Sequence, residues 1–170
     1  MNRLATTVTL IVTLGAIATG CADPDGLRAE GLVSLTVHQP GQPDGPTGFN
    51  LPADTFIDPP PGVGRGFFGT CARVGTRWTV DLSAASPAAA TGLRRVVVTA
   101  VEGNATSPTA ATFTLGAVDF ATTASCTGRA SAFGDKGVRI TATCTGLSAT
   151  SDPRTVDAAL NFTLERCNLQ

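Results

Sequence analysis

The chain contains no tyrosine, a single lysine (Lys136), a single histidine (His38), a single tryptophan (Trp78) and no methionine after Met1. These shortages exclude a good deal. A histidine-dependent active site has only His38 to draw on. No Cys-x-x-Cys, His-Glu-x-x-His or Gly-x-Ser-x-Gly occurs, so the common zinc and nucleophile-elbow arrangements lack their residues. Aromatics make up 5% of the chain and the formal charge is −1, with no basic stripe along which a phosphate backbone would lie. Long apolar runs are also missing. The longest, Leu4–Ala18, is shorter than the ~20 residues that a transmembrane helix needs.

What that apolar run does have is a setting. It follows Arg3 and leads through Ala18-Thr19-Gly20 to Cys21. A basic start, a short apolar core and small residues before a cysteine are the layout of a bacterial lipoprotein signal, in which the cysteine takes the lipid. Residues 1–20 are thus expected to be a signal peptide, and 21–31 an acylated N-terminus and short polar tether. Acylation at Cys21, palmitate included, would hold the protein to the extracytoplasmic face of the cell membrane. The competing reading is an ordinary secretory signal cut after Ala16-Ile17-Ala18, and Ala18 stands where a larger aliphatic is more usual. Cysteine arithmetic favours lipidation. Five cysteines are an odd number for an exported chain, and lipid on Cys21 leaves four to pair.

The rest, 32–170, is predicted to be one domain rich in Ala, Thr, Gly, Val and Ser, a composition suited to short strands and turns. Leu32–His38 alternates with Val33, Leu35 and Val37 on one face. Phe67–Val74 and Arg77–Leu82 form a hairpin turning at Gly75-Thr76, with Trp78, Val80 and Leu82 facing inward. Arg94–Glu102, Ala111–Asp119 and Val156–Glu165 are further strands. Ser86-Pro87-Ala88-Ala89-Ala90, stopped by Gly92, predicts one short helix. The segment 39–66, with seven prolines and six glycines, is predicted to be a long loop pinned by Phe49, Leu51, Phe56 and Ile57, or one that meets a partner.

The best-specified element spans Cys126 to Thr145. Val138, Ile140, Ala142 and Cys144 are apolar at even positions, as are Cys126, Gly128, Ala130 and Ala132 on the strand before. A turn centred on Asp135 pairs residues whose numbers sum to 270, and so sets Cys126 opposite Cys144. Of the three connectivities open to four cysteines, this geometry selects Cys126–Cys144 and leaves Cys71–Cys167. The shorter loop is worth about 3 kcal/mol and the longer about 4.7 kcal/mol before strain. Cys167 is one residue out of phase with its strand, so a bulge or strand end is expected before it. Metal binding by these cysteines lacks suitable spacing.

From about Gly66 to Cys167 the chain resembles the mycobacterial lipoprotein antigen family typified by LpqH. The resemblance is carried, in order, by Cys71, Ala89-Ala90-Thr91-Gly92-Leu93 with Val96, Leu115-Gly116-Ala117-Val118, Gly128-Arg129-Ala130-Ser131-Ala132 with Asp135, Ile140-Thr141-Ala142-Thr143-Cys144-Thr145-Gly146, and the closing strand to Cys167. It implies a small β-rich domain at the cell envelope, an acylated N-terminus, a Cys71–Cys167 disulfide, and a surface antigen whose lipid is sensed by host innate immune receptors. It offers no catalytic residues. The Cys126/Cys144 pair and the segment 39–66 depart from the family pattern, as does the lack of the threonine-rich, glycosylated tether.

Other motifs weigh less. Gly64-x-Gly66-x-x-Gly69 follows a proline run and precedes a strand, the wrong setting for a dinucleotide. Asp54 and Asp58 flank Phe56-Ile57 and read as solvated carboxylates before a catalytic pair. Arg94-Arg95 reads as a strand edge, or as a site for an anionic group if one arginine turns inward. Together the residues predict an all-β antiparallel sandwich of seven or eight strands with one short helix and two disulfides. The expected function is a non-enzymatic, lipid-anchored envelope lipoprotein of the surface-antigen type, with no cofactor, no metal and no nucleic-acid partner. The alternative is a carrier holding an apolar ligand such as an envelope lipid, either between the sheets or under the 39–66 segment.

Overall fold

Val33 and Leu35 are buried while Leu32 and Thr36 face solvent, and the same period of two sets Trp78, Val80 and Leu82, then Ala111, Phe113 and Leu115, then Ala158, Leu160 and Phe162 to one side. Side chains on successive strand residues point to opposite faces, so each of these segments has one apolar face to bury. The computed structural model describes residues 26–57, 66–85, 92–103, 107–122 and 126–169, and shows how they bury it. Twelve strands form: β1 (Arg28–His38), β2 (Gly45–Phe56), β3 (Phe67–Val74), β4 (Arg77–Ala84), β5 (Leu93–Val101), β6 (Ser107–Pro108), β7 (Ala110–Leu115), β8 (Val118–Thr122), β9 (Cys126–Phe133), β10 (Gly137–Ala149), β11 (Asp152–Glu165) and β12 (Asn168–Leu169). Among the described residues there is no helix. The expected helix falls on 86–91, outside the described residues.

All twelve strands belong to one hydrogen-bonded sheet, in the order β12-β3-β4-β5-β7-β8-β10-β11-β1-β2, with β9 beside β10 and β6 beside β9. Pairing is antiparallel throughout except between β12 and β3. The sheet curls until its two ends nearly meet. Phe49 on β2 and Phe67 on β3 touch edge to face with ring centroids 5.3 Å apart, and Leu93 N–H donates to Thr47 Oγ1 across the same gap. The result is a nearly closed barrel around a single apolar core, whose fully buried large side chains include Trp78, Phe113, Phe120, Phe162 and Ile140.

The strand count exceeds the seven or eight expected, for three physical reasons. First, the 39–66 segment is not a loop throughout, because β2 occupies twelve of its residues and pairs with β1. Its prolines are admissible there because β2 is an edge strand, where a missing N–H costs no ladder bond. Pro46 lies opposite Thr36. Pro52 falls in a bulge, where Pro52–Asp54 face only Glu30, Asp54 takes φ 60° and Thr55 Oγ1–H donates to the Pro52 carbonyl at 2.6 Å. Second, the single strand expected over Ala111–Asp119 is two, β7 and β8, folded at Gly116-Ala117. Gly116 sits at φ 63°, which glycine adopts without cost. Third, β6 and β12 are two-residue strands, too short to leave a periodic signal.

Two hairpins match their expected register. β3 and β4 turn at Gly75-Thr76. β9 and β10 pair Ala132 with Val138 and Cys126 with Cys144, so partner numbers sum to 270 along the ladder. Residues 28–31, expected to belong to a tether over 21–31, lie in β1 and pair with β11. Gly31 is required in that stretch. It takes φ 127°, and a Cβ there would run into the backbone of Asn161 and Phe162.

Candidate functional site

Cys21 lies outside the described residues, but the path from it into the fold is anchored. Ile57 N–H donates to the Leu27 carbonyl at 2.9 Å, and the Ile57 side chain is buried in the core. Arg28, next along, reaches Asp54 at 3.7 Å across the β2 bulge. The chain therefore enters the barrel at a fixed end, formed by the start of β1, the end of β2 (Phe56) and the end of β11 (Glu165). Six residues separate Cys21 from Arg28, a reach of at most about 25 Å.

Two bridges hold the opposite edge and the β9–β10 hairpin. Cys71–Cys167 joins β3 to the chain just after β11, with Cα atoms 4.8 Å apart and the two cysteines 96 positions apart in sequence. Cys126–Cys144 spans directly opposed residues of the hairpin, with Cα atoms 4.0 Å apart. The phase slip before Cys167 is real. The strand ends at Glu165, Arg166 takes φ 64°, and Cys167 N–H donates to the Lys136 carbonyl at 2.7 Å. That turn redirects the chain so that Asn168 and Leu169 can run parallel to Ala72 and Arg73. Cys21 is the one cysteine of the five outside these bridges.

The far end of β1 carries a polar cluster. His38, the last residue of the strand, is flanked by two carboxylates. Nδ1 lies 3.0 Å from Asp44 Oδ1, in the turn between β1 and β2, and Nε2 lies 3.1 Å from Asp157 Oδ2, on β11. Asp157 uses its other oxygen to accept Gly146 N–H at 2.8 Å. The hydrogen bond to Asp44, and after it the one to Asp157, raises the His38 pKa above its ordinary 6.5. The Asp157 pKa is lowered, first by the Gly146 N–H and then by His38. Both ring nitrogens face carboxylates, so neither presents a lone pair to a substrate as a general base must.

Beside this cluster, Val37, Gln39, Pro43, Gly45, Pro46, Thr47, Gly92 and Arg154 line an open cleft of about 290 Å³. Arg154 is held in place by a two-pronged pair with Asp152, at 2.9 and 2.6 Å, and lies over the Phe120 ring at 5.5 Å. Its hydrogen bonds to Asp152, from side chain and then backbone, lower the Asp152 pKa.

The remaining candidates have structural partners. The two neighbouring arginines both face outward, because the β5–β7 register shifts between Leu93 and Arg95 and the bulge places Arg94 and Arg95 on the exposed side. Arg95 makes a bidentate pair with Asp81 at 2.9 and 2.6 Å. Asp54 pairs with Arg28, and Asp58 lies outside the described residues. Gly66 and Gly69 flank the start of β3 with no helix behind them. Glu102, which no pattern pointed to, accepts Trp78 Nε1–H at 2.8 Å and pairs with Arg73 at 3.0 Å, while the Arg73 guanidinium lies over the Trp78 ring. Among the described residues no three His, Cys, Asp or Glu side chains are grouped to hold a metal. The His38 cluster was missed at the sequence level because its partners are 6 and 119 residues away and no spacing links them. No protein-family model, no curated protein and no solved structure matches this chain.

Proposed function

We propose that this protein is a non-enzymatic lipoprotein of the cell envelope, anchored through lipid on Cys21 and acting by display of its β-barrel at the surface. The observation that carries this is the cysteine account. Four cysteines are consumed in two bridges, and the fifth stands directly after Ala18-Thr19-Gly20 and an apolar run of signal-peptide length. Two or three acyl chains suffice for stable anchoring, whereas one binds only marginally. The resemblance to the mycobacterial lipoprotein antigen family supports the same function, with a two-layered sandwich as the finer description of the fold and innate immune receptors as readers of the lipid.

Anchoring at Cys21 orients the domain. The Arg28–Phe56–Glu165 end sits against the membrane, and β1, eleven residues or about 35 Å long, carries His38 to the end turned away from it. Display is favoured over carriage of an apolar ligand by the interior, where Trp78, Phe113, Phe120 and Phe162 fill the space between the facing strands. Mass spectrometry of the protein extracted from its native host tests the proposal. The expected mature chain begins at Cys21 and carries a thioether-linked diacylglycerol, two disulfides and no retained lipid. A different first residue, or an unmodified Cys21 thiol, overturns it, and a stoichiometric lipid released on unfolding would point to the carrier instead.

A further inference from the structure

His38 offers a further inference, because its surroundings dictate its protonation state. An ionised carboxylate can only accept hydrogen bonds, and a neutral imidazole has one N–H and one lone pair. With Asp44 at 3.0 Å from Nδ1 and Asp157 at 3.1 Å from Nε2, the neutral ring would set a lone pair against a carboxylate oxygen on one side. Only the imidazolium satisfies both contacts. The proton therefore joins three pieces of chain: the turn after β1, through Asp44; β11, through Asp157; and the irregular stretch of β10, where the register slips between Cys144 and Leu147 and Gly146 N–H is bound by Asp157.

The three contacts are unequal. Asp157 lies within a strand paired on both sides and keeps the Gly146 bond whatever His38 does. Asp44 precedes β2 in a turn whose own backbone bond is Gln42 N–H to the Gln39 carbonyl at 3.0 Å, and strand pairing resumes only at Gly45 opposite Val37. When the ring loses a proton, Asp44 is the contact that yields. Pro43, beside it, is part of the cleft wall that runs on through Gly45, Pro46 and Thr47.

We propose that His38, Asp44 and Asp157 form a proton-operated latch that fixes the turn spanning residues 39–44 as one wall of the Val37–Arg154 cleft, and releases that wall as the pH rises. The latch belongs to the fold itself. It rests on the lipid-anchor proposal only for the statement that this end faces outward. The charged groups packed around the ring are few. β11 supplies Asp157 and, further along, Arg154 and Asp152, which neutralise each other at 2.6 Å; the turn supplies Asp44; and the start of β2, Gly45–Asn50, has no titratable side chain. The raised His38 pKa agrees in sign. The stabilisation is fully present below the ordinary value of 6.5 and is lost as pH climbs through the raised folded value.

Hydrogen-exchange mass spectrometry on the full-length chain between pH 5 and 8.5, corrected for intrinsic exchange, tests the latch. The expected result is several-fold greater protection of the amides of Gln39, Gly41, Gln42 and Asp44 at the acid end, lost at the alkaline end, while the β9–β10 hairpin stays constant. His38→Gln and Asp44→Asn should each show low protection of that turn at every pH. An NMR titration of the unaltered chain provides a check independent of any variant, and should place the His38 ring above 6.5. A flat profile for the unaltered turn, a pH step that survives in either variant, or a His38 titration at or below 6.5 would each overturn the latch.

Discussion

The two edges of the curled sheet present the same problem and are held by different chemistry. β2 and β3 each expose backbone donors and acceptors that invite another chain to pair. On the β3 side the remedy is covalent. Cys71–Cys167 ties the strand to the end of β11, and β12 covers Ala72 and Arg73. On the β2 side it is conformational and ionic. Pro46 and Pro52 remove donors, the Asp54 bulge breaks the edge, and ion pairs hold its two ends, Arg28–Asp54 at one and His38–Asp44 at the other. The β3 edge should therefore respond to reductant more than to pH. The other should do the reverse. The Phe49–Phe67 contact is where the two meet.

The largest break in this comparison is to remove the covalent side. Replacing Cys71 and Cys167 together by alanine should destabilise the domain by about 4–5 kcal/mol, read from urea unfolding, with a larger loss on reduction of the native protein, which also opens Cys126–Cys144. Next is the seam itself. Phe49→Ala leaves a hole among buried rings and should cost about 3–4 kcal/mol in the same assay. Glu102→Ala strands the buried Trp78 Nε1–H and should cost about 2 kcal/mol, while Glu102→Gln, which can still accept that bond, should recover most of it.

The ionic side yields smaller effects. Because the folded His38 pKa is raised, unfolding midpoints measured from pH 6 to 8.5 should fall with rising pH in the native chain and stay level in His38→Gln. Below pH 4 the lowered values of Asp157 and Asp152 take over, and stability falls as these carboxylates are protonated. Smallest in stability is Pro46→Thr. It should alter the midpoint by less than about 0.5 kcal/mol, yet raise the rate of concentration-dependent association seen by light scattering, because it restores an edge donor.

Legibility followed the same division. The β9–β10 hairpin could be read to the residue, since alternation on two adjacent strands and a cysteine on each admit only one register. Both bridges then followed by elimination. β2 could not be read in this way. Its seven-proline neighbourhood argues against any strand unless that strand is known to lie at an edge, and edge position is a property of the whole sheet. The outward placement of Arg94 and Arg95 hung on a one-residue register shift with no local mark.

By itself the sequence determined the class of structure, the inward faces of most strands and the pairing of its cysteines, because these depend on a period of two and on residues close to one another in the pattern. It also carries the signal-like pattern, in the twenty residues before Cys21, on which the proposed lipid anchor partly rests. Only the tertiary structure decided that the strands join in a single curling sheet, that β2 closes its edge, and that His38 stands between Asp44 and Asp157. Those outcomes depend on contacts between residues far apart in sequence, 119 positions for His38 and Asp157 and 137 for Arg28 and Glu165, and charge–charge geometry at such separations is settled by the packing of the whole barrel.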